Sequence, residues 1–399
     1  MKLYQSIYIL FIFAVLSCDI SDNEFEPNNT FVKIYDDNRF EYEYYPLDII
    51  QTSDDGFLIL SEVKFDQSLF TSAYVLKTNS KGEVTSSTLM NAPFSRPVDG
   101  WLSDNDSYYF VCMDANTLVS YLVNVGLDGS INTTDQVGSL TYPLVASATD
   151  ADEFALLSFD NSSNETVLAT FSMTGQIKQK VSYSIGVGVD VEKPIIDHLT
   201  RNRDQLPFIV GKTADGLYYF NGFYNFTFSL VFSDFGVEPT GVSQGQLSQG
   251  GISALSGLGG DLFGVARFNF GANFINPLSG IPTNSITSST DIDGNIFAEI
   301  ENGARTKIMH ILPDNKLIYG THTQSNQIVL YGFDKEDGRI LGTSYMGDGN
   351  PYYFSSFTLT SDGGISILAQ TAIEGRFQRI AVFKRDEDFF NSLILRAIE

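Results

Sequence analysis

Two stretches near opposite ends of the chain are close copies of each other. Residues 51–60 read QTSDDGFLIL and residues 359–368 read LTSDGGISIL. Degraded copies lie between them, each with a polar turn followed by a short apolar run. The seven turns lie 47 to 56 residues apart and centre on Asp55, Asn105, Asp152, Asp204, Gly260, Asn315 and Asp362. A period of this length indicates a repeat architecture, which constrains the fold more than any other feature of the sequence.

A second motif follows the first in phase. A strand-like run that ends in a polar turn with glycine recurs as YVLKTNSKGEV, YLVNVGLDGSI, LATFSMTGQI, LVFSDFGVE and VLYGFDKEDGRI. The Asp-Gly and Asn-Asp pairs of the first motif suit tight hairpins. The flanking runs are rich in Val, Ile, Leu, Phe and Tyr, which favour strands. Each unit therefore predicts two hairpins, and no part of the mature chain shows a sustained helical period.

Seven units of four strands predict an all-β fold, a seven-bladed β-propeller of four-stranded antiparallel blades. Stacking the sheets around an axis buries each apolar face against the next blade. We place the propeller at 31–399, closed either by 31–37 or by 392–399. Segments 212–233 and 264–302 exceed the repeat and are expected to form longer loops on one rim. The predicted units are 31–93, 94–140, 141–187, 188–244, 245–290, 291–349 and 350–399.

The units resemble a group of bacterial propeller repeats. Their consensus is an extended strand, Ser/Thr-Asp-Gly-Gly, an apolar strand, and a further strand that ends in Asp-x-x-Gly. The resemblance is close in the first and seventh units and loose in the fourth and fifth. The group consists of exported or cell-surface proteins, many without a known activity. The resemblance therefore implies a propeller and says little about chemistry.

The N-terminus reads MKLYQSIYILFIFAVLSC. Its apolar run, Ile7 to Leu16, is too short to span a bilayer of ~30 Å as a helix and is typical of an export signal. The ending VLSC resembles the lipobox of bacterial lipoproteins, in which the cysteine becomes the acylated N-terminus. The resemblance implies a signal peptide at 1–17 and a lipid on Cys18, and the acidic, polar stretch 18–30 predicts a flexible tether. An ordinary signal peptide with an incidental cysteine is the alternative.

The distribution of charge in the sequence bears on the expected location of the protein and on its expected partners. Four acidic residues soon after Cys18 resemble a surface-export signal found on lipoproteins of one Gram-negative phylum; they are Asp19, Asp22, Glu24 and Glu26. An aspartate directly after the cysteine also resembles an inner-membrane retention signal, but we expect the outer-membrane surface. The formal net charge of -24, without a Lys/Arg cluster, disfavours nucleic acid as a partner. The expected partners are the membrane, through the lipid, and a protein or glycan ligand.

Three histidines are the candidate bases for nucleophilic catalysis. His198 and His310 are expected at equivalent places, just before the first turn of the fourth and sixth units, and His322 is expected in solvent at a strand end. Their position in the repeat explains these histidines as well as a catalytic role does. The only cysteine other than Cys18, Cys112, lies in an apolar strand pattern and is expected to be a small buried side chain.

The sequence DIDGN matches the first three ligand spacings of a calcium loop with Asp291, Asp293 and Asn295. The loop's twelfth position holds Asn302 where a glutamate is needed, so a hairpin turn is the expected structure. We expect neither a metal nor another cofactor.

The aromatic run at 218–228 offers a candidate surface for stacking on a sugar, and we select Tyr218, Tyr219 and Tyr224 from it. Alternation predicts that half of these rings pack between blades. The favoured function is a non-catalytic surface binding or scaffold module. The alternative is a polysaccharide hydrolase or lyase that uses carboxylates at the mouth of the channel.

Overall fold

The computed structural model describes residues 30–395 except 37–41, 66–67, 99, 105, 201–204, 246–249, 313–314 and 374–376. The signal peptide, Cys18 and nearly all of the tether lie outside the described residues, as do the turn centres Asn105 and Asp204. The described chain forms seven sheets, the blades of a β-propeller, which are antiparallel apart from one strand added in parallel to the outer edge of the fourth. The predicted fold class is confirmed.

The first strand, β1 (Phe31–Tyr35), belongs to the last blade, and the next three blades follow in chain order. Blade 1 comprises β2 (Glu43–Gln51), β3 (Phe57–Lys64), β4 (Ser72–Thr78) and β5 (Val84–Leu89). Blade 2 comprises β6 (Phe94–Ser95), β7 (Leu102–Asp104), β8 (Ser107–Asp114), β9 (Val119–Val125) and β10 (Ile131–Thr141). Blade 3 comprises β11 (Pro143–Asp150), β12 (Glu153–Asp160), β13 (Glu165–Phe171) and β14 (Ile177–Ser184), and helix α1 (Glu192–Thr200) follows it.

The remaining blades contain one exchange of strands. Blade 4 comprises β15 (Ile209–Lys212), β16 (Tyr218–Tyr224), β17 (Thr227–Ser233) and β18 (Gly241–Gln244). Blade 5 begins with β19 (Gly250–Gly259), β20 (Leu262–Asn269) and β21 (Ala272–Gly280). The chain then crosses to blade 4 and adds β22 (Ile286–Ser288) to its outer edge. After a 3-10 turn (Ser289–Asp291), it returns to blade 5 as the outer strand β23 (Asn295–Ile296). Blade 6 comprises β24 (Lys307–Ile311), β25 (Lys316–His322), β26 (Ile328–Asp334) and β27 (Ile340–Met346). Blade 7 comprises β28 (Tyr352–Leu359), β29 (Ile365–Ile373) and β30 (Phe377–Arg385), followed by helix α2 (Glu387–Ile394).

The ring is closed by the N-terminal strand. β1 pairs antiparallel with β30, with Phe31 opposite Lys384 and Tyr35 opposite Ile380. Of the two closures that the sequence left open, the structure confirms the one through the N-terminal segment. The C-terminal segment instead enters α2, whose first turn is capped by the side chain of Asp386.

Helix α2 packs on blade 6, where two glycines make room for it. A Cβ at Gly332 would lie 1.9 Å from the carbonyl oxygen of Leu393, and one at Gly342 would lie 2.4 Å from that of Ser392. Phe390 and Leu393 of the helix join the apolar core between blades 6 and 7. A side chain at either glycine would therefore push the helix away.

Each strand sends its apolar side chains to two neighbouring cores. In β3, Leu58 and Leu60 pack toward blade 2, whereas Phe57 and Ile59 pack toward blade 7. Full burial of one such side chain stabilises the fold by about 1.5–3 kcal/mol. Cys112 is fully buried in the same core as Leu58, as expected. Seven thin cores of this kind replace one large core.

The two copies of the repeated turn meet in the closed ring. The Ser361 hydroxyl donates to Asp55 over 2.6 Å, and the Ser361 backbone N–H donates to Gln51 over 2.6 Å. Within each turn a carboxylate organises the chain. Asp54 accepts hydrogen bonds from Thr52, Gly56 N–H and Lys77 Nζ, and Asp362 accepts the same set from Thr360, Gly364 N–H and Lys384 Nζ. The acidic turn of the repeat is therefore structural.

The fourth unit departs from the sequence-based expectation. Residues predicted to enter its first hairpin lie in α1, and the first hairpin of blade 4 turns at 213–216. The segment 212–233 forms the central hairpin of the blade, so the expected rim loop there is wrong. A nine-residue helix is too short to show a sustained period, and Pro194 lies in its first turn, where no intrahelical N–H is lost. The surplus at 281–296 is an excursion at the outer edges of blades 4 and 5.

The blades give the ring two distinct faces. Because the strands of a blade alternate in direction, turns between second and third strands lie on one face, called here the upper face. Turns between first and second strands, including the repeated acidic turn, lie on the lower face. The connection that carries α1, from blade 3 to blade 4, runs over the upper face.

Candidate functional site

Polar side chains from three inner strands meet near the ring axis. Asp48 of β2 accepts hydrogen bonds from Lys307 Nζ of β24 over 3.0 Å, from the Trp101 backbone N–H over 2.8 Å, and from the Ser356 hydroxyl of β28. Lys307 also donates to Ser356 over 2.7 Å. The ion pair joins blades 6 and 1 across the inner end of blade 7.

This network holds Asp48 in its ionised form. Burial alone would raise the pKa of Asp48, but the charge of Lys307 and the hydrogen bonds from Ser356 and Trp101 outweigh burial and lower it. A general acid at neutral pH needs the opposite shift. A second acidic residue of a described inner strand, Asp150 of β11, is ion-paired with Lys212. The hydrolase alternative gains no candidate acid here and stays a hypothesis.

A buried ion pair fastens α1 to the upper face. Glu62 of β3 and Arg96, which lies between β6 and β7 of blade 2, are ion-paired with side chains only 1% and 5% exposed. The Arg96 guanidinium also donates to the carbonyl oxygen of His198, in the last turn of α1, over 3.3 Å. Ile195 and Leu199 of the helix pack into the core shared by blades 3 and 4. The helix is therefore held by Arg96 of blade 2 and by the apolar core between blades 3 and 4.

His310 lies where it was predicted, just before the first turn of blade 6, but His198 does not lie before the first turn of blade 4. His198 lies in α1 and accepts a hydrogen bond from the Leu206 N–H over 3.1 Å, whereas His310 lies in β24, so the two are not equivalent. Burial and the charge of Arg96 hold the pKa of His198 well below its usual range. Burial and Lys335 lower the pKa of His310. Both imidazoles are neutral at pH 7.

His322 is buried, contrary to the prediction that it is solvated. Its side chain is 8% exposed, and Nε2 lies 3.0 Å from a carboxylate oxygen of Glu301. Burial lowers the pKa of His322, although Glu301 acts in the opposite direction. His322 is the last residue of β25, as the sequence suggested, but its ring faces Glu301 and packs edge-on against Tyr353.

The calcium-like segment is a 3-10 turn rather than the expected hairpin. The Asp291 carboxylate accepts from the Ser288 N–H over 3.3 Å in a reciprocal cap, and Asn295 begins β23. The carbonyl oxygen of Asp293 accepts from Asn276. Within the described ranges, no three His, Cys, Asp or Glu side chains group in a way that could hold a metal ion.

The three selected tyrosines lie between blades of the ring. Tyr218 donates a hydrogen bond to Glu153 of blade 3, and Tyr219 packs edge-on against Phe263 of blade 5. They are only 5% and 7% exposed, and Tyr224 is half-buried. The binding role of Tyr218, Tyr219 and Tyr224 stays a prediction.

The upper face carries aromatic residues that the sequence reading did not select. In blades 3 and 6 the turn between the second and third strands holds an asparagine with left-handed backbone, Asn164 at φ 54° and Asn326 at φ 60°. The two-residue turn of blade 4 holds Asn225 at φ 41° and Phe226 at φ 72°, and that of blade 5 holds Phe270 at φ 47° and Gly271 at φ 81°. Asparagine tolerates this conformation and a bulky aromatic residue does not. The two rings are nevertheless 47% and 67% exposed.

No protein-family model and no curated protein matches the chain. Solved propeller structures are similar to it at low identity. The β-propeller domain of the Trilobed protease from Pyrococcus furiosus is 11% identical, with a TM-score of 0.48, over 86% of this chain and 98% of that one. The acylaminoacyl peptidase of Pyrococcus horikoshii is 13% identical, with a TM-score of 0.49, over 88% of this chain and 53% of that one, so this chain spans about half of that enzyme. A protein of unknown function from Dyadobacter fermentans is 10% identical, with a TM-score of 0.46, over 86% of this chain and 95% of that one.

In the part of the chain that the structure describes, no helix is long and apolar enough to cross a membrane.

Proposed function

We propose that this chain is a lipid-anchored cell-surface lipoprotein whose β-propeller is a non-catalytic binding module for a glycan or protein. The sequence VLSC and the acidic tether support the anchor and the outer-membrane address. The propeller supplies a rigid scaffold with ligand contacts on the turns of one face, the usual place for function on a repeat fold.

The placement of Phe226 and Phe270 carries the proposal. A bulky residue in the left-handed region costs about 1–3 kcal/mol. Burial offsets little of that cost, because both rings remain about half exposed or more. Asparagine adopts left-handed backbone in the longer turns of blades 3 and 6 and at Asn225 beside Phe226, so this backbone conformation does not require phenylalanine. A strained, exposed aromatic pair on one face is best explained by contact with a ligand.

The polar network around Asp48 near the ring axis favours a binding role over a catalytic role. Asp48 is ionised and takes hydrogen bonds from three residues of the protein itself. A carboxylate in this setting holds the inner strands together. The charge of Lys307 is likewise directed at Asp48.

The anchor is tested by cell fractionation of the full-length protein and Cys18→Ala. The parent is expected in the outer-membrane fraction and accessible to added protease on intact cells. The variant is expected to leave the membrane fraction. Retention of the variant in the membrane fraction would show that the proposed lipid anchor on Cys18 is wrong.

The binding role is tested with detergent-solubilised full-length protein on purified envelope polysaccharides and envelope proteins. Saturable binding that falls at least tenfold in a Phe226→Asn/Phe270→Asn double variant supports the proposal. Release of new reducing ends from a polysaccharide, lost in Asp48→Asn, would instead establish the hydrolase alternative.

A further inference from the structure

A small cavity lies beside the exposed Phe270 on the upper part of blade 5. Its volume is about 10 Å³, room for one water or one hydroxyl group. Arg267 and Asn269 of β20 line one side, and Ser289 and Thr290 of the 3-10 turn line another. Phe270 follows Asn269 directly in the chain, so the cavity adjoins the strained turn.

Two buried polar atoms at this cavity are left unsatisfied within the described residues. Nε of Arg267 and Oδ1 of Asn269 have no hydrogen-bond partner there. Residues two apart on a strand face the same side of the sheet, so the two side chains share one face. One atom is a donor and the other is an acceptor, and buried groups of both kinds normally find partners.

The Arg267 guanidinium stacks on an aromatic ring, and Asp293 acts on it electrostatically. The guanidinium lies 4.1 Å from the centre of the Phe274 ring, which neighbours it across the β20–β21 pair. Stacking on an aromatic face fixes the plane of the guanidinium and leaves its N–H groups for a ligand. The donor is therefore preorganised.

The group that satisfies both atoms must accept one hydrogen bond and donate another. A hydroxyl does this, and the cavity has the size of one hydroxyl. A carboxylate or phosphate cannot donate to Asn269 Oδ1, and the net charge of -24 disfavours polyanions generally. Phe270 is the next residue after Asn269, which lines this hydroxyl-sized polar cavity. An exposed ring so placed suits a sugar, which has hydroxyls at its edge and C–H groups on its face.

We infer that this part of the upper face is a saccharide-binding site. One sugar hydroxyl enters the cavity between Arg267 Nε and Asn269 Oδ1, and the Phe270 ring covers the C–H face of the same sugar. Phe226, at the same turn of the neighbouring blade, offers a second ring to the next part of a longer chain. This inference rests on the proposed binding function and narrows its ligand to a neutral oligosaccharide.

The test uses detergent-solubilised full-length protein on an array of neutral and acidic oligosaccharides, followed by titration calorimetry with the strongest ligand. Phe270→Asn removes the ring and places a residue suited to left-handed backbone, as in blades 3 and 6. Arg267→Lys keeps the charge and removes the Nε–H. Val237→Asn is the matched control, because Val237 is 88% exposed in the β17–β18 turn of the lower face.

The parent is expected to bind neutral oligosaccharides, and Phe270→Asn and Arg267→Lys are expected to weaken binding at least tenfold each. Val237→Asn should change affinity less than twofold, and the melting temperature of Phe270→Asn should not fall. Phe226→Asn is expected to weaken binding of long oligosaccharides and to leave the shortest ligand unaffected.

Several outcomes would overturn the inference. Saccharide binding that survives both Phe270→Asn and Arg267→Lys places the site elsewhere and leaves the binding function intact. Capture of an envelope protein alone, dependent on Phe226 and Phe270, also rejects the sugar but keeps the binding function. A crystal soaked with the best saccharide that shows only an ordered water in the cavity rejects the site. Failure to bind either ligand class rejects both proposals.

Discussion

Breaking the ion pair between Glu62 and Arg96 should destabilise the propeller more than any surface charge change. Both side chains are almost fully buried, at 1% and 5% exposure. Replacing one partner of a buried ion pair leaves the other charge poorly compensated, which costs about 3–5 kcal/mol. Glu62→Gln leaves the Arg96 guanidinium facing a neutral amide, so we expect a loss of that size.

The expected shift in melting temperature follows from chain length. At about 2.1 cal/mol/K per residue, unfolding about 400 residues carries an entropy of ~0.8 kcal/mol/K, so the variant should melt about 4–6 °C below the parent. Trp101 is the only tryptophan, is 9% exposed, and packs edge-on against Phe110 between blades 1 and 2. Its fluorescence reports unfolding close to the ion pair, and calorimetry should give the same midpoint.

A double-mutant cycle separates the charge from the packing. Glu62→Gln/Arg96→Met removes both charges at similar volume and should recover most of the lost stability, because well-packed apolar replacements of buried pairs are often neutral. Asp197→Asn is the control, since its partner Lys193 in α1 is 74% exposed and such pairs contribute about 0–1 kcal/mol. A Glu62→Gln variant that melts within about 1 °C of the parent would refute the reasoning.

Three further predictions concern the turns and the C-terminal helix. Burial alone would raise the pKa of Asp362, but hydrogen bonds and the charge of Lys384 outweigh it and lower that pKa from 3.8 to about 2. Ionised Asp362 therefore contributes its full stabilisation of the folded protein above pH ~5, and this contribution is lost as the pH falls from about 4 to 2. Urea unfolding of Asp362→Asn should show a pH dependence smaller by about 1–2 kcal/mol across that range, and an unchanged dependence would contradict the assignment. Phe270→Asn should leave stability equal or raise it by up to about 1 kcal/mol, because asparagine suits the left-handed turn; a fall in melting temperature would show that the ring is structural. Gly332→Ala should displace α2, since its Cβ would lie 1.9 Å from the Leu393 carbonyl oxygen; faster limited proteolysis of the C-terminus is expected, and parental resistance would argue against that contact.

Local turn chemistry made the blades predictable. Asp54 and Gly56, and their counterparts Asp362 and Gly364, encode the same hairpin within a few residues of sequence, so both copies could be recognised. The meeting of these turns followed from ring closure. Helix α1 was missed because nine residues with a proline in the first turn leave too weak a period.

Long-range partners could not be predicted in the same way. Asp48 and Lys307 are brought together only by the curvature of the ring, and nothing in their local sequence indicates the pairing. His322 does end a strand, as the sequence indicated, but its burial involves Glu301 of the connection between blades 5 and 6. The cavity beside Phe270 combines β20 with the 3-10 turn of the strand exchange, which has no equivalent in the other units.

The closure by β1 also sets how the ring would stand on a membrane. β1 begins at Phe31, opposite Lys384 near the end of β30, so the chain enters the ring at the lower face. The Phe31 ring lies close to Gly82, in the β4–β5 turn of that face. With the proposed lipid on Cys18, a tether of 12 residues reaches at most ~40 Å and attaches on this side. Phe226 and Phe270 would then point away from the bilayer, toward ligands that arrive from outside the cell.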